Sequence, residues 1–164
     1  MARKIGVGDR APDFAARDQS GDEVRLSVLL SRGPVVLYFS PKDDTPGCTA
    51  EACAFRDDFE RFVEAGAAVV GVSSDSVERH QAFAARHELP FQLLSDADGY
   101  LRDLYGVPRT LGLLPGRVTY VIGSDGVVRL VFSSQIRAQA HVEEALQAVR
   151  ALAGSGVTPP VSSP

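Results

Sequence analysis

The chain has 164 residues, of which 45% are hydrophobic and 23% charged, and its formal net charge is −4. That is enough chain to bury a core without disulfide or metal staples, and the mild acidity gives no electrostatic reason to expect a nucleic-acid partner. No apolar run reaches bilayer length, and the basic start at Met1-Ala2-Arg3-Lys4 is not followed by the apolar stretch of a secretory signal, so a cytoplasmic setting with no membrane partner is expected.

Pro34 to Phe39 is a continuous apolar, β-branched run, typical of a central strand buried on both faces. A loop then leads through Thr45 and Pro46 into a helix expected to continue to about Ala65. Thr followed by Pro is a good N-cap with Pro at the first helical position. Ala67 to Val72 reads as a second buried strand. The next helix is expected to open at Asp75, with Glu78 three residues on as in a capping box. A short helix covers Tyr100 to Tyr105. Arg117–Ile122 and Val127–Phe132 flank Gly123-Ser124-Asp125-Gly126 and read as a hairpin. The last helix, about Ala138 to Leu152, puts Val142, Ala145, Leu146 and Val149 on one stripe. Residues 154–164 are rich in Gly, Ser and Pro without side-chain charge, so a disordered tail is expected behind a single domain over residues 1–153. Alternating elements followed by a hairpin imply an α/β fold, a mixed sheet flanked by helices in a thioredoxin-like layout.

Cys48 and Cys53 are the only cysteines, and with the scattered His80, His87 and His141 they make no recognisable zinc spacing. In a reducing compartment such a pair points to catalysis more than to structure. Cys48 falls in the first turn after Pro46, where unpaired N–H groups and the helix dipole favour an anion and so a reactive thiolate. At about 100° per residue, Cys48, Ala52, Phe55, Phe59 and Phe62 share one face, and Cys53 lies about 140° from Cys48. Cys53 shares its side with Asp57, Glu60, Arg61 and Glu64, so one thiol heads a sheltered stripe and the other is expected to look toward solvent. Asp43 and Asp44 read as a solvated loop whose charge opposes a thiolate, so a cation must balance it. The candidates are Lys42, Arg56, Arg109 and Arg117. Arg117 stands out because it opens a buried strand, where a lone guanidinium is costly unless paired or functional. Pro41 and Pro46 either shield the thiolate or shape the loop, and His80 and His87 read as packing residues beside Val77 and Ala84.

The segment Tyr38-Phe39-Ser40-Pro41-Lys42-Asp43-Asp44-Thr45-Pro46-Gly47-Cys48-Thr49-Ala50-Glu51-Ala52-Cys53 resembles the active-site stretch of the peroxiredoxins. The pattern of Pro, three residues, Thr, two residues and Cys matches at Pro41, Thr45 and Cys48. A second cysteine five positions on, Cys53, is similar to the peroxiredoxin Q group, also called bacterioferritin comigratory proteins. Arg117, two residues before Thr119, matches the place of the family's active-site arginine. Ser40 departs from an aromatic residue common in relatives, and Thr110 to Gly116 is shorter than in some members; both bear on pocket shape. The resemblance implies a thioredoxin-like fold and thiol-dependent reduction of hydrogen peroxide or organic hydroperoxides, with no metal, flavin or haem. It implies Cys48 as peroxidatic cysteine, Cys53 as resolving cysteine, Thr45 and Arg117 holding the peroxide oxygens, and Pro41 shielding the site. A thioredoxin- or glutaredoxin-type reductant would recycle the disulfide, and a monomer is expected. A thioredoxin-like disulfide oxidoreductase and a non-enzymatic redox switch are the competing readings of the same cysteines. One further expectation concerns conformation. Helical residues five apart have Cα atoms roughly 8.6 Å apart, whereas a disulfide needs less than about 7 Å, so oxidation must open the helix.

Overall fold

The computed structural model describes residues 4–41, 45–107, 109–110, 114–115, 117–134 and 137–154. A short hairpin pairs β1 (Ala15–Arg17) with β2 (Glu23–Arg25), followed by α1 (Leu26–Leu30) and the central strand β3 (Val35–Phe39). Next come α2 (Pro46–Asp57), α3 (Phe59–Glu64), β4 (Ala68–Ser73), α4 (Val77–His87), β5 (Gln92–Ser95) and α5 (Tyr100–Tyr105). A minimal antiparallel pair, β6 (Arg109–Thr110) and β7 (Leu114–Pro115), precedes the hairpin β8 (Val118–Ile122) and β9 (Val128–Ser133), and α6 (Ala138–Gly154) follows.

The main sheet has the order β5-β4-β3-β8-β9. β3 runs parallel to β4, and β4 to β5, while β8 is antiparallel to both β3 and β9. This is the mixed sheet of a thioredoxin-like layout. All five β3 residues are buried, as the unbroken apolar run requires when both faces are covered. Alternation sends them to opposite sides. Val35, Leu37 and Phe39 pack with Leu26, Leu101 and Tyr105 on one face. Val36 and Tyr38 pack on the other with Ala52 and Phe55 of α2, Phe62 of α3, Phe83 of α4 and the Val142, Ala145, Leu146, Val149 stripe of α6. Burial of Phe55 and Phe62, both fully enclosed, stabilises this second core by about 1.5–3 kcal/mol each. No described helix is long and apolar enough to cross a membrane.

Three boundaries differ from the sequence expectation. The helix from Pro46 is interrupted at Asp58, whose non-helical conformation (φ −104°, ψ 10°) ends α2 and starts α3. Its carbonyl accepts from the Arg61 and Phe62 N–H groups, which starts α3, and Phe59 is only half-buried. The cap of α4 is Ser76, whose hydroxyl accepts the Arg79 N–H at 3.2 Å. Asp75 is instead buried and accepts from Ser73 Oγ at 3.0 Å. Finally, α6 includes Gly154, and the remainder of the expected tail lies outside the described residues.

Candidate active site

β3 ends at the site. Ser40 stays tied to the sheet through its N–H to the Val72 carbonyl (2.9 Å), and the Pro41 carbonyl accepts from Ser74 Oγ at 3.0 Å. The half-buried Pro41 is thereby pinned to the end of β4. Thr45 occupies the N-cap position with extended backbone (φ −85°, ψ 151°), and its carbonyl accepts the Thr49 N–H at 2.9 Å. Its side chain makes no capping hydrogen bond, contrary to the role expected for it. The helix start is therefore set by backbone conformation and the fixed φ of Pro46. Lys42, Asp43, Asp44 and the side chain of Arg109 lie outside the described residues.

Cys48, in the first turn of α2, is 2% exposed and unbridged. The buried Arg117, immediately before β8, donates from Nη1 to Cys48 Sγ at 3.3 Å. The same nitrogen contacts Glu51 Oε1 at 3.1 Å. Gly47 makes this approach possible, since a Cβ there would stand 2.6 Å from Arg117 Nη2. Among the cations weighed in the sequence, Arg117 is thus the described side chain that meets the sulfur. Arg56 is engaged elsewhere, with Asp57 (3.0 Å) and the His87 carbonyl (2.8 Å).

Cys53 does not face open solvent. It is half-buried, and its Sγ lies 3.9 Å from Nδ1 of the half-buried His87 at the end of α4. His87 also packs edge-on against Phe83. His87 of α4 covers a side of α2 that helical phasing alone left open. His80 is a packing residue as expected, fully buried with Nε2 2.9 Å from the Leu94 carbonyl. With both cysteines inside one helix and neither in a disulfide, their Cα atoms are displaced by about 7.5 Å along the axis.

Sequence reasoning missed Glu51 and His141. Both are fully buried, and Glu51 Oε2 lies 3.3 Å from His141 Nδ1. Burial pushes the Glu51 carboxyl up to about 8 against the pull of Arg117. His141 is held below its ordinary value by burial, partly offset by its contact with the Ser134 carbonyl. A signal for Glu51 existed: it neighbours Cys48 and Ala52 on the buried stripe, where a carboxyl demands a partner. Nothing in the sequence pointed to the partner on α6.

The AhpC/TSA family matches residues 7–131 of the chain. The chain is 49% identical over 150 residues to the chloroplastic peroxiredoxin Q of Sedum lineare, covering 91% of this chain and 80% of that protein. Among solved structures, the peroxidoxin BcpB of Mycobacterium tuberculosis superposes with a TM-score of 0.84 at 45% identity, over 90% of this chain and 98% of that one. The bacterioferritin comigratory protein of Xanthomonas campestris, described by its alkyl peroxide reduction activity, gives 0.77 at 31% identity, over 85% and 92%. With the Cys48–Arg117 contact at the head of α2, the chain belongs to the AhpC/TSA family, in its peroxiredoxin Q branch.

Proposed function

We propose that this thiol-dependent peroxidase reduces hydrogen peroxide and organic hydroperoxides at Cys48 and resolves the product with Cys53. The observation that carries this assignment is the 3.3 Å contact from Arg117 Nη1 to a buried Cys48 Sγ at a helix start. Guanidinium and helix terminus both favour the thiolate, which is the nucleophile. The thiolate attacks one peroxide oxygen, an S–O bond forms as the O–O bond breaks, and the leaving alkoxide or hydroxide takes up a proton. Sulfur is oxidised to sulfenic acid and the peroxide is reduced to alcohol or water. Arg117, Thr45 and the Cys48 N–H stabilise the charge that develops on the oxygens, and Pro41 limits access of water. Cys53 then displaces hydroxide from the sulfenic sulfur to form the intramolecular disulfide.

An external dithiol of the thioredoxin type reduces that disulfide by exchange, which suits a cytoplasmic setting, and the chain acts as a monomer in this reading. The test is a coupled assay with thioredoxin, its reductase and either hydrogen peroxide or a tertiary alkyl hydroperoxide. Sustained peroxide-dependent turnover is expected, with little reduction of insulin disulfides. Rapid insulin reduction without peroxide consumption would favour a disulfide oxidoreductase instead.

A further inference from the structure

The chemistry above leaves Glu51 and His141 without a task, although both are fully buried directly behind Arg117. A carboxyl removed from water is costly unless fully paired, and this one is paired on one side only. Oε1 receives Arg117 Nη1, while Oε2 makes no hydrogen bond among the described residues and sits 3.3 Å from His141 Nδ1. The imidazole is held in a known orientation. Its Nε2 lies 2.8 Å from the Ser134 carbonyl, which only accepts, so Nε2 carries a hydrogen. Nδ1 lies 2.7 Å from Thr119 Oγ1, a hydroxyl able to donate to a bare nitrogen or accept from a protonated one. The cluster is therefore built to tolerate a proton either on Glu51 or on His141.

Charge balance decides what it does. Cys48 and Glu51 are two acids sharing one guanidinium nitrogen. A thiolate and a carboxylate together against Arg117 would leave net negative charge in a dry site, and one retained proton removes it. We propose that Glu51 and His141 form a proton-holding pair that retains one proton when Cys48 ionises, so that Arg117 serves the sulfur and not the carboxylate. Neither touches the reacting oxygens; both are positioning residues. The proton lost by Cys48 Sγ is matched by one kept between Glu51 Oε2 and His141 Nδ1. Burial raises the Glu51 carboxyl to about 8 and holds His141 down, which places that proton on Glu51 at neutral pH. Arg117, immediately before β8, and His141 of α6 contact Glu51 directly, while Cys48 on its own helix is linked to it through Arg117 and Thr119 of β8 through His141.

The inference rests on the reading that Cys48 acts as a thiolate beside Arg117. Its test is the titration of Glu51 in reduced protein carrying glutamate labelled with carbon-13 at the side-chain carboxyl, in the wild type and in Cys48→Ser. The Glu51 signal is assigned by its loss in Glu51→Gln, or by its loss in Glu51→Asp should the first variant fail to fold. A protonated Glu51 at neutral pH is expected in the wild type, with its proton held at least about tenfold less tightly in Cys48→Ser, a midpoint lower by about one pH unit. An ionised Glu51 at neutral pH, or a midpoint indifferent to the Cys48 sulfur, would overturn the pair. If peroxide turnover still depends on Cys48 in that case, the peroxidase assignment survives. Absence of turnover in the wild type would instead remove the assignment on which the pair rests.

Discussion

Arg117 carries the electrostatic argument because the residue is only 6% exposed and its guanidinium meets both Cys48 and Glu51. A cation in that position would be costly without anionic partners, and the sulfur gains a directed donor that no mobile surface lysine supplies. Arg117→Met should slow formation of the Cys48 sulfenic acid by about 100-fold, the scale of losing one preorganised donor to a developing charge. Arg56→Met should change the same rate no more than a few-fold, since Arg56 is bound to Asp57 and the His87 carbonyl. Stopped-flow oxidation of Cys53→Ser backgrounds reads this step directly, and equal losses in the two variants would place the cation elsewhere. Glu51 adds a pH dependence to stability. Its folded value near 8 stands above the ordinary 4.5. Its stabilising contribution is therefore complete below about pH 4.5 and is lost as pH rises toward 8. His141, held below 6.5, has the opposite sign and weakens the fold as pH falls through its own range. Urea unfolding of Glu51→Gln and wild type should diverge in favour of the variant between about pH 4.5 and 8 and run parallel above. A difference independent of pH would contradict the burial of a protonated carboxyl.

At the scale of the element, α2 serves two incompatible demands. As a helix it places Cys48 against Arg117 and keeps Cys53 beside His87. Helical geometry also keeps the two Cα atoms roughly 8.6 Å apart, beyond the reach of a disulfide. The proposed Cys48–Cys53 disulfide therefore requires the first turns to open. Gly47, Ala50, Ala52 and Ala54 displace little bulk when they do, and the break at Asp58 separates the opening from α3. Hydrogen exchange from Thr45 to Phe55 should be faster in the oxidised protein, with β3, β4 and α6 unchanged. Equal protection in both redox states, with the Cys48–Cys53 disulfide confirmed by mass, would show that the helix does not open. The helix start and the core stripe Cys48, Ala52, Phe55 were legible because apolar spacing and the Thr-Pro pair are local signals. The break at Asp58 was not, because no Gly or Pro marks it in the sequence.

Across the whole molecule, the long apolar strands, the β8–β9 hairpin and the α6 stripe were readable for the same reason: each buries a continuous surface. The hairpin β1–β2, with three residues per strand, and the four-residue β5 were too short to show a period. The site was readable where the chain itself brings groups together, from Pro41 to Cys53. Arg117 was found by its cost in a buried strand. His141 was passed over because only the packing of α6 against α2 and β8 turns a scattered histidine into a partner of Glu51. These separate elements meet in one claim, that oxidation begins at Cys48 and ends at Cys53. The direct measurement is mass mapping of the reduced protein after one equivalent of hydrogen peroxide, alongside Cys53→Ser and Cys48→Ser. An intramolecular Cys48–Cys53 disulfide is expected in the wild type, a sulfenic acid on Cys48 in Cys53→Ser, and no oxidation in Cys48→Ser. Sulfenic acid on Cys53 in Cys48→Ser, with Cys48 unmodified in Cys53→Ser, would contradict the account.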